Sequence, residues 1–168
     1  TTEDLISVPG YTVHRLLGKG GMAAVYLATQ NSLEREVAIK VLLNPGDEQF
    51  NQRFVSEARI IATLNHPRVI TVYDVAQLDD SRHYIAMEYL DGENLSYIRR
   101  ASIQRQLFMS DALSAQLVAW AAEGLHYAHT RVGPDGKSAG VVHRDVSPQN
   151  LVVTYQGGLK VVDFGIAK

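Results

Sequence analysis

The feature that most constrains this chain is a polar loop between apolar runs. Residues 141–150 read Val-Val-His-Arg-Asp-Val-Ser-Pro-Gln-Asn, and they place Asp145 and Asn150 five residues apart. An apolar strand is expected at 151–153, and Asp163 comes at the end of a second apolar segment. Three oxygen-bearing side chains can therefore converge on one point, as a base and two metal ligands require. The pattern predicts a phosphoryl-transfer centre.

A glycine-rich turn lies near the amino end. It comprises residues 18–23, Gly-Lys-Gly-Gly-Met-Ala, between strands expected at 11–17 and 24–28. Glycines let backbone N–H groups approach phosphate oxygens, and they tolerate the positive φ of a tight turn. A simple hairpin turn explains the same glycines. The phosphate-binding interpretation therefore depends on the residues of the next strand.

The next predicted strand, residues 36–42, carries a single cation at Lys40. A lysine in such a strand either extends its ammonium group to water or faces an anionic partner. A candidate partner is Glu57, on an amphipathic helix expected from about 48 to 65. Spacing alone leaves open whether Glu57 is a solvated flank residue or holds Lys40 toward phosphate. The apolar positions of the helix are Phe50, Phe54, Ala58, Ile61, Ala62 and Leu64.

Two further strands, 69–76 and 83–88, complete a small antiparallel α+β lobe of five strands and one helix. Gly92 marks a change from sheet to helix. Asn94 is the expected N-cap of a helix over 95–101, and Ser110 that of a helix over 111–129. The second helix is expected to bury a core stripe of Leu113, Leu117, Trp120, Ala121, Leu125 and Ala128.

Composition excludes several classes of protein. The net charge is −2, and the lysines and arginines are scattered along the sequence rather than clustered. We therefore expect neither nucleic acid nor an anionic membrane as a partner. The absence of cysteine excludes a disulfide framework, a thiolate zinc site and a cysteine nucleophile. His126 and His129 lack acidic or cysteine companions, so they are interpreted as packing and surface polarity rather than metal ligands. No segment predicts a membrane span or a signal peptide, so a cytoplasmic location is expected for these residues, and a membrane anchor elsewhere in a longer protein stays open. The chain begins without Met, which indicates trimming from a longer protein.

In this order the motifs resemble the protein kinase family, specifically the bacterial serine/threonine kinases of eukaryotic type. The resemblance covers the whole chain. It rests on the glycine-rich loop Gly18–Val25, the lysine strand Val37–Lys40, the catalytic loop His143–Asp145 with Asn150, and the metal-binding motif Asp163–Gly165.

The resemblance implies a two-lobe kinase fold. Residues 1–90 would form the N-lobe, with a five-stranded antiparallel sheet and one helix. Residues 91–168 would begin a mainly helical C-lobe that stops just after Asp163–Gly165. The implied activity is transfer of the γ-phosphoryl group of ATP to serine or threonine hydroxyls of unidentified protein substrates, in a signalling role.

The resemblance also assigns catalytic roles. Asp145 would accept the proton of the substrate hydroxyl. Asn150 and Asp163 would hold Mg²⁺, or Mn²⁺ in its place. Lys40 would bind the α- and β-phosphates with Glu57 fixing its head. Arg144 is typical of protein kinases controlled by activation-loop phosphorylation.

ATP binding is assigned to further residues in the same way. The loop residues are Gly18, Lys19, Gly20, Gly21, Met22 and Ala23. The apolar sandwich around adenine would be Leu17, Val25, Ala38 and Val152, with hinge hydrogen bonds from the backbone of Glu88 and Leu90 beside the gatekeeper Met87. A spine of Ile61, Val72, His143 and Phe164 would join the lobes. Core packing explains the same apolar residues equally well.

Three features depart from the family pattern. Ala23 replaces the third glycine of the loop, which restricts the backbone slightly. Ser147 stands where serine/threonine kinases carry a lysine aimed at the γ-phosphate, so the charge of that lysine is missing and the inference of serine/threonine over tyrosine is weakened. The chain also ends at Lys168, before any peptide-substrate platform. We expect the isolated chain to be inactive and to self-associate through exposed C-lobe surface.

Three alternatives stay open. A nucleotide-binding pseudokinase or scaffold is favoured by Ser147 and opposed by intact Lys40, Asp145, Asn150 and Asp163. A small-molecule phosphotransferase of the antibiotic-kinase type also uses a His-x-Asp loop ending in Asn, but it tends to carry glycine where this chain has Arg144. An unrelated α+β binding module would not explain the ordered motifs.

Overall fold

The structure, a computed structural model, describes residues 5–44, 46, 48–133 and 136–164. Within these residues the chain forms two compact units. The first contains residues up to 62 together with 71–89, and the second contains 63–70 together with 90–164. No helix in the described ranges combines the length and the apolar character that crossing a membrane would demand.

The first unit is built on a five-stranded sheet, which confirms the predicted α+β architecture. Every paired neighbour is antiparallel, and the strand order is β1-β2-β3-β5-β4. The fourth strand begins three residues later than the expected Val69, because Val69 instead forms a parallel bridge with Val161 in the second unit. The strands are β1 (Tyr11–Lys19), β2 (Ala23–Gln30), β3 (Arg35–Leu42), β4 (Val72–Gln77) and β5 (His83–Glu88).

Strand β3 lies in the middle of the sheet and is buried on both faces. Val37, Ile39 and Val41 pack into one apolar cluster with residues of β2 and β5. Since side chains alternate across a strand, Ala38 and Lys40 lie on the opposite face. This alternation separates the face of β3 that joins the apolar cluster from the face that carries Lys40.

Helix α1 (Glu48–Ile61) packs against β4 and β5. Its buried side chains are Asn51, Phe54, Ala58 and Ile61. The predicted end near residue 65 was wrong, because Asn65 N donates to Tyr127 Oη at 3.1 Å instead of to a helical carbonyl. Tertiary contact in the second unit thus ends the helix before proline would.

The second unit contains helices α2 (Leu95–Gln104) and α3 (Asp111–His129). Both predicted N-caps are confirmed: Asn94 Oδ1 accepts from Tyr97 N at 2.9 Å, and Ser110 Oγ accepts from Leu113 N at 3.2 Å. Helix α2 runs three residues further than the expected Ala101, and α3 has the predicted bounds.

The core interpretation of α3 was wrong at one position. Leu117, Ala121 and Ala128 are buried, but Leu113 is 47% exposed. The buried residues lie around Gly124, where α3 packs closely on the backbone of Arg68. The guanidinium of Arg68 lies over the ring of Trp120, with its Cζ 4.2 Å from the ring centre. Segment 63–70 therefore belongs to the second unit through α3.

A three-stranded antiparallel sheet, which the sequence did not predict as such, completes the second unit. It consists of β6 (Gly92–Asn94), β7 (Leu151–Thr154) and β8 (Leu159–Val161). Gly92 is essential here, since a Cβ would collide with Val153 O and approach Thr154 Cα to 2.7 Å. The close approach of β6 to β7, not a change from sheet to helix alone, explains this glycine. A 3₁₀ turn (Pro148–Asn150) leads into β7.

Candidate active site

His143 is the buried centre of the polar loop. Its side chain is 1% exposed, Nε2 lies 2.8 Å from Val162 O, and Nδ1 accepts from Asp145 N at 3.2 Å. Because Nδ1 accepts, Nε2 carries the proton and donates to Val162. The ring also packs on Phe164 with 4.7 Å between centroids. One imidazole therefore ties the backbone of Asp145 to the segment that carries Asp163.

Asn150 fixes the carboxylate of Asp145. Asn150 Nδ2 donates to Asp145 O at 2.9 Å and to Asp145 Oδ2 at 3.2 Å. The 3₁₀ turn positions the amide, since Asn150 N donates to Ser147 O at 2.9 Å. Asn150 O in turn accepts from Val162 N at 3.0 Å. Asp145 and Asn150 are thus brought together as predicted, and the segment leading to Asp163 is joined to them.

Two residues of this site have left-handed backbone. Arg144 has φ 62° and Asp163 has φ 55°. A non-glycine residue in this region costs about 1–2 kcal/mol, and such residues concentrate at functional sites. Arg144 directs the chain from the buried His143 to the half-buried Asp145. The left-handed backbone of Asp163 likewise separates an exposed carboxylate from the buried Phe164.

The residues present fit a hard divalent cation. Asp145 O can only accept a hydrogen bond, so the Asn150 nitrogen must face it, and the Asn150 oxygen points elsewhere. That amide oxygen and the exposed Asp163 carboxylate are oxygen donors of the kind that Mg²⁺ prefers. Among the described residues no three His, Asp or Glu side chains are grouped as a protein-only metal site. Magnesium commonly takes its remaining ligands from water and phosphate.

In the first unit, four of the predicted nucleotide-binding residues share one sheet face. Lys40 is paired with Val25 of β2, and Ala38 is paired with Met87 of β5. Directly opposite residues of an antiparallel pair, and residues two apart on a strand, point to the same face. The face therefore presents one ammonium group among small and apolar side chains. Lys40 is half-buried and Glu57 lies on α1; their predicted pairing stays a prediction.

The glycine-rich loop has a simpler backbone than expected. It forms a tight turn in which Gly20 N donates to Ala23 O at 2.8 Å. Gly18, Gly20 and Gly21 do not have positive φ, so the turn does not need glycine for its conformation. A Cβ added at Gly18 or Gly21 would meet no atom within 4 Å. The remaining physical reason for glycine is open space beside the backbone, which a ligand can approach.

The predicted hinge contact of Glu88 with a nucleotide is restricted by the hydrogen bonds that Glu88 already makes. Glu88 N donates to Thr71 O at 2.9 Å, and Glu88 Oε1 accepts from Thr71 N at 2.7 Å. The Glu88 N–H is therefore already engaged, and a backbone contact from Glu88 to a nucleotide would have to use its carbonyl. Of the other predicted contacts, Leu17 is half-buried on β1, Leu90 comes after β5, and Val152 is half-buried on β7.

The sequence placed His143 in the catalytic-loop motif and in an apolar spine, but its two hydrogen bonds were missed. Sequence reasoning also missed the left-handed backbone at Arg144 and Asp163. A histidine between an apolar pair and two charged residues was the available signal, since a buried imidazole needs two partners. Gly165, the last residue of the predicted metal-binding motif, lies outside the described residues.

Comparison with known proteins agrees with this geometry. A family model described as "Protein kinase domain" matches residues 11–168. The chain is 39% identical over 163 residues to the tyrosine-protein kinase MasK of Myxococcus xanthus, covering 94% of this chain and 25% of that protein. It is 37% identical over 159 residues to the serine/threonine-protein kinase PrkC of Bacillus subtilis, covering 94% of this chain and 22% of that protein.

A solved structure gives the same result for the fold. The PknI kinase domain of Mycobacterium tuberculosis superposes with a TM-score of 0.78 at 33% identity, covering 97% of this chain and 62% of that chain. The present chain spans about a quarter of the length of the two curated relatives.

Proposed function

The chain belongs to the protein kinase domain family, and we propose that it binds ATP with Mg²⁺ and transfers the γ-phosphoryl group to serine or threonine hydroxyls of proteins. Support comes from the family match over residues 11–168 together with the arrangement of the polar loop. The single observation that carries the proposal is the double contact of Asn150 Nδ2 with Asp145 O and Oδ2.

That contact gives Asp145 a defined task. Its carboxylate is half-buried and held in one orientation, which is what a base needs if it is to meet an incoming hydroxyl. In the transfer, the substrate oxygen bonds to the γ-phosphorus, the bond to the departing ADP breaks, and Asp145 accepts the proton of the hydroxyl. His143 keeps Asp145 in place through the backbone N–H of that residue.

The other residues bind and orient. The Asn150 amide oxygen and the Asp163 carboxylate would hold Mg²⁺, which when bound neutralises phosphate charge. Lys40 would bind phosphate oxygens from the first unit, and Glu57 would orient its ammonium group. Val25, Ala38 and Met87 would receive the adenine against the face that they share with Lys40.

The choice of acceptor depends on Ser147. A serine hydroxyl at this position cannot supply the positive charge of a lysine, and of the two relatives described above one is named a tyrosine kinase and the other a serine/threonine kinase. We retain serine and threonine as the expected acceptors. Acid hydrolysis of labelled protein, followed by separation of phosphoserine, phosphothreonine and phosphotyrosine, identifies the acceptor directly.

The test of the transferase function uses the full-length protein with γ-labelled ATP and Mg²⁺. Wild type is expected to incorporate label. Asp145→Asn should reduce the rate by about 100-fold or more, since general base catalysis contributes about 10²–10⁴-fold. Asp163→Asn should reduce it similarly through loss of a charged ligand. Asp79→Asn makes the same chemical change in the exposed turn between β4 and β5 and should have no effect.

Each outcome decides between the candidate functions. Label retained in both Asp145→Asn and Asp163→Asn would remove the assignment of the centre. Nucleotide binding by wild type without any incorporation of label would favour the pseudokinase.

A further inference from the structure

A small cavity with a positively charged wall lies beside the catalytic loop. It has a volume of about 280 Å³ and is lined by Ser96, Arg99, Arg100 and Ile103 of α2 and by Pro148 of the 3₁₀ turn. This volume is just below the range of about 300–1,000 Å³ that is usual for small-molecule sites. The cavity is therefore suited to a side chain rather than to a cofactor.

Two adjacent arginines give this wall its positive charge. Arg99 and Arg100 are the only charged residues of α2. Both are exposed, and within the described ranges neither has a carboxylate within ion-pair distance. The loop segment 146–150 on the other side, Val-Ser-Pro-Gln-Asn, is neutral. Two guanidinium groups and the Ser96 hydroxyl thus offer hydrogen-bond donors to one anion.

The cavity is close to the proposed base along the chain. Pro148 is three residues from Asp145, so their Cα atoms are at most about 11 Å apart. A bound substrate segment in extended conformation advances about 3.3 Å per residue. A side chain two to four positions from the accepting hydroxyl could therefore reach the cavity.

We propose that this cavity binds an anionic side chain of the protein substrate and so selects acceptor sites that have an acidic neighbour. The inference rests on the proposed kinase function and adds a substrate preference to it. The shared chemistry is an anionic oxygen group, which a glutamate, an aspartate or a phosphorylated residue of the substrate carries. Ile103 and Pro148 supply the apolar surface against which the stem of such a side chain packs.

The experiment uses the full-length protein and synthetic peptides with one threonine in a background of alanine, glycine and glutamine. Glutamate replaces glutamine at each position in turn. At the matching position kcat/KM is expected to rise about 5-fold, the upper value for an exposed ion pair. Phosphoserine at that position should give a larger increase, about 10-fold, if a dianion is preferred over a carboxylate. Equal increases in kcat/KM for the glutamate and phosphoserine peptides would show that a carboxylate is sufficient for recognition by the cavity.

Variants then locate the preference. Arg99→Gln with Arg100→Gln should abolish the preference for glutamate and leave kcat/KM for the neutral peptide unchanged. The matched control is Arg105→Gln, which removes one positive charge just beyond α2 without lining the cavity. The control should retain the preference. Arg99→Glu with Arg100→Glu should favour a lysine peptide over the glutamate peptide.

Two outcomes overturn the inference: wild type shows no glutamate preference at any position, or the preference survives in the double glutamine variant. Both are independent of the kinase function itself, which fails only if wild type phosphorylates nothing. In that case the affinities of the protein for labelled glutamate and glutamine peptides, measured by fluorescence anisotropy, test separately whether the cavity binds an anionic side chain. Equal affinity of wild type for the two peptides would then reject the inference. Tighter binding of the glutamate peptide that is lost in the double glutamine variant would support it.

Discussion

At the level of single residues, one buried side chain, that of His143, organises the catalytic loop. The imidazole of His143 satisfies Asp145 N and Val162 O at once, and its ring covers Phe164. Both hydrogen bonds depend on the backbone path, which turns at the left-handed Arg144. The types and order of these residues are distinctive, so the sequence could indicate them as candidates for the site. It could not predict the hydrogen bonds, because they are made to backbone atoms whose positions arise from the fold.

Tyr84 provides a pH prediction on β5. Burial, the nearby carboxylate of Asp74 and the hydroxyl of Tyr11 raise the pKa of Tyr84 to about 12. In the unfolded chain this pKa is about 10. Between pH 10 and 12 the folded state therefore keeps a proton that the unfolded state loses, and stability must fall as the pH rises. The free energy of unfolding, measured by urea denaturation across this range, should decline.

Tyr84→Phe should make that decline shallower, because the variant has no proton to lose at this position. The matched control is Tyr97→Phe, which removes an exposed hydroxyl on α2 and should leave the decline in place. An unchanged slope in Tyr84→Phe would show that alkaline destabilisation has another source.

Among the secondary-structure elements, two close approaches to neighbouring backbone require glycine. Gly124 allows α3 to approach Arg68, and Gly92 allows β6 to approach β7. The sequence predicted the helix bounds of α3 correctly because capping by Ser110 is local chemistry. It mispredicted the end of α1 and missed the sheet formed by β6, β7 and β8, because these depend on partners distant in the chain. Glycine in the middle of a helix was the signal of close packing that sequence reasoning passed over.

Gly124→Ala should destabilise the second unit. Alanine has a helix propensity about 1 kcal/mol better than glycine, but its Cβ would lie 2.8 Å from Arg68 O and 2.9 Å from Arg68 Cβ. Overpacking of this kind costs about 1–3 kcal/mol, so we expect a net loss of about 1 kcal/mol. Thermal unfolding measures it. Ala122→Gly, at an exposed position of the same helix, calibrates the propensity term, and a higher Tm in Gly124→Ala would contradict the predicted contact.

For the molecule as a whole, the chain folds as two units, and the expected motifs are distributed between them. The glycine-rich turn and Lys40 lie in the first unit, and Asp145, Asn150 and Asp163 lie in the second. Each motif depends on residues that are close together in the sequence, such as the glycines of an open turn or a lysine within a strand, so it can be recognised from the sequence alone. Which apolar residues face water was less predictable, since a helix pattern shows a stripe but not its partner. Leu113 illustrates this, because it continues the apolar stripe of α3 yet is exposed.

The exposed apolar side chains lead to a prediction for the 168-residue chain as a whole. Phe108 is 83% exposed and Val118 is 68% exposed, within a few residues of Leu113. Exposed apolar surface is unfavourable by about 25 cal/mol for each Å², which drives association when several such side chains are close in the chain. Light scattering should therefore show an average mass that rises with concentration. Replacing Phe108, Leu113 and Val118 by glutamine should reduce this rise, whereas Leu33→Gln, an equally apolar and exposed position in the turn between β2 and β3, should not. A wild-type mass that stays monomeric at every concentration would show that these side chains do not drive association.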